Sequence, residues 1–246
     1  MVEHSALLLP LALFAGAVLY TAVGHAGASA YIAVMTLFGV SAGVIKPTAL
    51  ALNILVSGLI AFRYVRRGYF NRQVALLVLA GAIPAAFVGG YIQLPGHYYK
   101  PLVGVVLLLA ALRLLTVPKT ETYATATPPG TAVGVSAGAV IGLLSGLTGT
   151  GGGIFLSPLL VFRRWTTLKQ ASGTAAVFIL ANSTAGLLGN VSSVRSLPAE
   201  LPVYGAAVLL GALVGSQLGL ARFDGRALRR CLAAVLLVAA GKFLFA

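Results

Sequence analysis

The chain has 246 residues, of which 59% are hydrophobic and only 9% charged, with a mean hydropathy of +0.99. A soluble domain carries roughly 25% charged residues, so this chain cannot cover a water-facing surface, and a soluble globular fold is excluded. Its net charge of +13 would suit nucleic acid, but the cations sit in short loops between apolar runs, which is the mark of membrane topology.

Apolar segments run in chain order over 5–23, 26–40, 47–64, 73–92 and 99–116, then 131–147, 153–163, 171–190, 201–220 and 227–245. Several approach the ~20 residues that cross a bilayer. Thirty glycines and eleven prolines are tolerable in such helices, because neighbouring helices satisfy the freed backbone groups. The opening Met1-Val2-Glu3-His4 lacks the basic stretch of a cleavable signal peptide, so the first segment is expected to be retained. Cys231 is the only cysteine; it has no disulfide partner and no metal-site companion.

Between the fifth and sixth segments, residues 117–130 are rich in Thr, Pro and Gly and read as a linker. A shift of 126 residues pairs Gly27 with Gly153, Thr48 with Thr174, Ser57 with Ser183 and Gly89 with Gly215. We expect one membrane domain, 1–246, made of repeat 1 (1–116), a cytoplasmic linker (117–130) and repeat 2 (131–246).

Loop charges orient the halves. In the first, successive loops carry Lys46 alone, then Arg63, Arg66, Arg67 and Arg72, then Lys100 alone. In the second they carry Arg163, Arg164 and Lys169, then Arg195 alone, then Arg222, Arg226, Arg229 and Arg230. Cations mark cytoplasmic loops, so the bias alternates oppositely and the repeats cross in opposite directions, as in many secondary transporters. The loops holding Lys46 and Lys100 then lie outside. The 153–163 segment has roughly half the length of a span, which predicts a hairpin turning inside the membrane, mirrored in the first half. The expected fold is an all-α integral membrane protein with two inverted repeats of four to five spanning or half-membrane helices, their Gly-rich hairpins meeting at the midplane.

The hairpin turns are the candidate site. The first reads Gly24-His25-Ala26-Gly27-Ala28-Ser29 and the second Gly149-Thr150-Gly151-Gly152-Gly153. Glycine permits left-handed turns and close approach of backbone. A helix starting at such a turn aims unpaired N–H groups and its positive end outward, where an anion is the natural occupant. Tight packing is the competing reading, and it holds for Gly134, Gly138, Gly142 and Gly146, whose spacing of four makes one smooth face. Thr48, Asn53 and Ser57, with Thr174, Asn182 and Ser183, add hydroxyl and amide groups that suit either oxyanion contacts or helix-to-helix hydrogen bonds. His25 is the one ionisable residue near a hairpin centre, and its charge switches near neutral pH; a structural, hydrogen-bonded role fits it equally. A Ser145–His25 nucleophilic pair would have no acid to orient it. All four acids, Glu3, Glu121, Glu200 and Asp224, lie at segment ends or in loops. Intramembrane carboxylates mark proton relays and cation sites, so an anionic or neutral cargo is favoured.

Two halves with Gly-rich stretches (Val23–Ala28 and Leu147–Gly153), each followed by a basic residue and a Thr-bearing helix (Lys46-Pro47-Thr48 and Lys169 to Thr174), resemble the sulfite exporter TauE/SafE family over essentially the whole chain. That resemblance implies export or uptake of sulfite, sulfonates or related sulfur-containing organic anions across the bacterial inner membrane, and a secondary transporter working by alternating access is the expected mechanism. A channel, or a carrier of another small anionic or neutral solute, is the alternative. It implies no catalytic residue, cofactor or metal; the partners are the lipid bilayer and the small anion, with no nucleic acid, and a homo-oligomer is compatible with the sequence.

Overall fold

The computed structural model describes residues 2–22, 25–116, 126–191, 197–220 and 225–245. Gly24 and most of the linker therefore lie outside the described residues. The described chain is helical throughout: α1 (Val2–Ala22), α2 (Ala28–Leu37), α3 (Ala42–Arg66), α4 (Arg72–Tyr91) and α5 (Gly96–Thr116), then α6 (Thr131–Thr148), α7 (Gly153–Phe162), α8 (Leu168–Gly189), α9 (Leu201–Leu220) and α10 (Gly225–Phe245). Six of them, α3, α4, α5, α6, α8 and α9, contain stretches long and apolar enough to cross a membrane. Helix lengths run in the same order in both halves: 21, 10, 25, 20 and 21 residues, then 18, 10, 22, 20 and 21.

Local chemistry sets the ends. Asn71 caps α4 by accepting from Val74 N at 3.1 Å. Thr167 and Gln170 close a reciprocal capping box on α8. Left-handed glycines end α6 at Gly149 (φ 84°) and start α2 at Gly27 (φ 101°) and α7 at Gly152 (φ 77°). Prolines 10, 47, 84, 101 and 158 lie inside helices.

Every α2 residue from Ala28 to Thr36 is buried, so this ten-residue helix is wrapped in protein, the condition under which broken helices survive at membrane depth. Leu7, Leu11, Phe62, Leu76, Leu210 and Val238 point outward, as a lipid-facing surface requires, and exposed Tyr91 and Tyr98 sit by a helix junction as interface aromatics do.

The most extensive helix packings join different halves: α4 on α6 and α8, α1 on α9, α5 on α10, and α3 on α8. The α4–α6 contact is backbone against backbone. A Cβ added at Gly138, Gly142 or Gly146 would collide with the carbonyl oxygens of Val78, Ala82 or Ala86, so the smooth glycine face is spent on packing. Gly211 and Gly215 of α9 meet Phe14, Ala17, Val18 and Thr21 of α1 in the same way. The helix that is fourth in one half thus lies on the first helix of the other, in both directions.

Candidate functional site

Both Gly-rich turns reach one small interior cavity. Its lining includes His25, Gly27, Ala28 and Ser29 from the first turn and α2, Thr150, Gly153 and Ile154 from the second turn and α7, and Asn53 from α3. The first backbone bonds of α2 run from Ala30 and Tyr31 to the Gly27 carbonyl, and those of α7 from Phe155 and Leu156 to the Gly152 carbonyl. The amides of Ala28, Ser29, Gly153 and Ile154 therefore precede the helical ladder, and all four residues line the cavity. Two positive helix ends share one space. No carboxylate is among the described lining residues. The space is about 10 Å³, close to the minimum that holds one water.

A buried polar network, all of it joining the two halves or the second hairpin, supports this cavity. Asn53 Nδ2 donates to Ser183 Oγ at 2.9 Å, bridging α3 and α8. Asn182 Nδ2 donates to Ser145 Oγ at 2.7 Å and to the Gly151 carbonyl at 3.2 Å, which ties the second turn to α6 and α8. Thr148 and Thr150 share a hydroxyl bond of 3.0 Å across the turn. Each of these side chains is at most 4% exposed. The Asn53 and Asn182 carboxamide oxygens are buried without a protein partner, so both amides retain bonding capacity.

Glycine is obligatory at the second turn. Gly151 (φ 74°) presses on Asn53, and an added Cβ would also lie 3.0 Å from Ser183 Oγ. At Gly152 a Cβ would meet Phe178 at 2.9 Å and Asn182 Nδ2 at 3.2 Å. At the first turn a Cβ on Gly27 (φ 101°) would likewise lie 2.8 Å from the Tyr31 hydroxyl, and side chains add to the hold: Tyr31 hydroxyl donates to the Ala26 carbonyl at 2.9 Å, and the His25 ring stands edge-on to Tyr20 with centroids 6.4 Å apart.

The structure thus brings His25, Gly27, Ser29, Asn53, Thr150 and Gly153 to the cavity and sets Gly151, Gly152, Asn182 and Ser183 directly behind it. Gly149 ends α6 beside Lys46. Thr48, Ser57 and Thr174 are buried but do not line it. Thr48 Oγ1 has no partner, Ser57 turns back to the Ile54 carbonyl at 3.3 Å, and Thr174 Oγ1 accepts from Asn71 N at 3.1 Å. That last bond, with Gly173 packed on the Tyr69 carbonyl, seats the arginine-rich α3–α4 loop on the start of α8. Tyr20 and Ile179 of the lining carried no sequence signal. Ser145 did stand out in the sequence; its Oγ accepts from Asn182.

Comparison with known proteins agrees with this architecture. A family described as sulfite exporter TauE/SafE matches residues 8–243. A probable membrane transporter protein of Sinorhizobium fredii is 39% identical over 255 aligned positions, covering 99% of this chain and all of that one. No solved structure matches the chain. A full-length family match, a full-length transporter relative and a multi-pass helical fold around a buried polar cavity lead to one conclusion: the chain belongs to the sulfite exporter TauE/SafE family, is a membrane transporter of a small solute, and is not an enzyme.

Proposed function

We propose that this protein is a secondary transporter that moves sulfite or a related organosulfur anion of the sulfonate class across the bacterial cytoplasmic membrane by alternating access. The observation that carries this reading is the convergence of the α2 and α7 N-termini on one cavity with no carboxylate among its described lining residues. Four free amides and two helix ends favour negative charge, and Asn53, Ser29 and Thr150 supply neutral polar groups for oxygen atoms. Each ten-residue helix spans ~15 Å, half of a ~30 Å hydrocarbon core, so their starts meet near the midplane.

Matching helix lengths and reciprocal packing support two inverted repeats, 1–116 and 131–246. Since the strongest packings cross between them, the bodies that rock are mixed: α4 with α6 and α8 on one side, α1 with α9 on the other. A cavity of about 10 Å³ cannot admit a sulfur oxyanion, which favours a closed, occluded state over an open channel.

The test is uptake of radiolabelled sulfite into proteoliposomes, with and without a pH gradient, against taurine, sulfoacetate and sulfate. Saturable, competed uptake is expected, and Ser29→Ala with Thr150→Ala should raise KM several-fold without loss of folded protein. Absence of uptake for all of these anions would refute the cargo. An unchanged KM would remove the cavity from the pathway.

A further inference from the structure

A second cavity, of about 170 Å³, opens where α3 begins and α4 and α8 end, on the side that the sparse loop charges place outside. Lys46, Gln93, Tyr99 and Asn190 line it. Lys46 is only 7% exposed and is the one buried charged side chain among the described residues. Its ammonium donates to the carbonyls of Gly89 (3.2 Å), Gly90 (3.1 Å) and Ile92 (3.2 Å) at the end of α4. Those dipoles favour a cation but do not cancel its charge. Asn190 is 2% exposed, and its carboxamide oxygen is buried without a partner.

The second hairpin packs against two of these lining residues, Lys46 and Tyr99. A Cβ on Gly149 would lie 3.2–3.3 Å from the backbone and Cγ of Lys46, and Tyr99 hydroxyl donates to the Thr148 carbonyl at 3.1 Å. One residue further, Thr150 lines the central cavity. A buried cation therefore stands between the outer space and the inner one. A buried ionisable group in a membrane segment is costly and is by default a candidate functional residue.

We propose that Lys46 and Asn190 form an outer capture site for a small oxyanion, from which the ion passes over the Gly149 turn to the central cavity. This rests on the anion-transport reading. The bond to the Ile92 carbonyl, the least buried of the three, is the one the anion replaces with a charge-assisted contact.

The experiment uses full-length protein carrying Cys231→Ala and Gln93→Cys, the latter an exposed position on the cavity rim. Labelling rates are compared for the anionic sulfonatoethyl and the cationic trimethylammonioethyl methanethiosulfonates, each relative to a free thiol. One nearby cation should raise the anionic-to-cationic ratio about tenfold. Lys46→Met should abolish that preference, Lys46→Arg should retain it, and methanesulfonate should slow the anionic reagent saturably. A free-thiol ratio with Lys46 in place, or a ratio that survives Lys46→Met, would overturn the proposal and leave Lys46 as a clamp on α4. Should Lys46→Met not fold, failure of methanesulfonate to protect the Lys46-containing protein has the same force. The ratio needs no cargo: a charge-selective, protectable thiol in a protein that takes up no sulfite would sink the sulfite reading and keep this one. Saturable sulfite uptake with a flat ratio would do the reverse.

Discussion

The two hairpins occupy matching places in their halves and reach the same cavity, yet they are built differently. Among its described residues the first has one left-handed glycine, Gly27, crowded by Tyr31, and is held mainly by side chains: Tyr31 on the Ala26 carbonyl, His25 against Tyr20. The second has three, Gly149, Gly151 and Gly152, and is held by neighbours pressing on bare backbone: Asn53, Asn182, Ser183 and Phe178. A side-chain clasp tolerates trimming. A backbone held in a mould does not tolerate additions.

The largest effect should come from filling the mould. Gly151→Val combines left-handed strain of about 1–3 kcal/mol with overpacking of about 1–3 kcal/mol, because its Cβ would overlap Asn53. We expect loss of a monodisperse peak in detergent and of uptake. Gly39→Ala is the control, with a similar φ of 78° but nothing within 4 Å; if both behave alike, crowding is not the cause. Asn182→Leu should rank next, at about 1–3 kcal/mol, because Ser145 Oγ loses its amide donor and the Gly151 carbonyl loses its bond. A thermal midpoint unchanged in scintillation or fluorescence assays would mean that the network does not hold the turn. Tyr31→Phe removes one bond from the first hairpin and should cost about 1 kcal/mol, with uptake retained. A collapse of transport in this variant would erase the distinction between the hairpins.

Much of the fold was legible because each helix is built around an apolar run. The expected 201–220 segment is α9 itself, and the expected 131–147 is α6 less one residue. The hairpins were legible too, since Gly151-Gly152-Gly153 is poor helix material. Which polar residues meet was not. Asn53 and Ser183 are 130 positions apart, and nothing in local spacing says that α3 and α8 face each other there. Thr48, Ser57 and Thr174 stand in helices whose polar faces composition cannot orient, and their hydroxyls point elsewhere. Lys46 read as a loop charge for topology; only the bend of α4's last carbonyls toward it shows that it is buried.

The reciprocal packing of α4 on α6 and α1 on α9 has a consequence for how the protein is assembled. Each half offers its fourth helix to the first helix of the other, as the subunits of an isologous dimer exchange matching surfaces. The chain is in this sense a dimer with its subunits joined end to end, and the joining peptide adds little beyond local concentration. Cut between residues 117 and 130, the two pieces should find each other when made together in one membrane, while either made alone would leave its glycine faces uncovered.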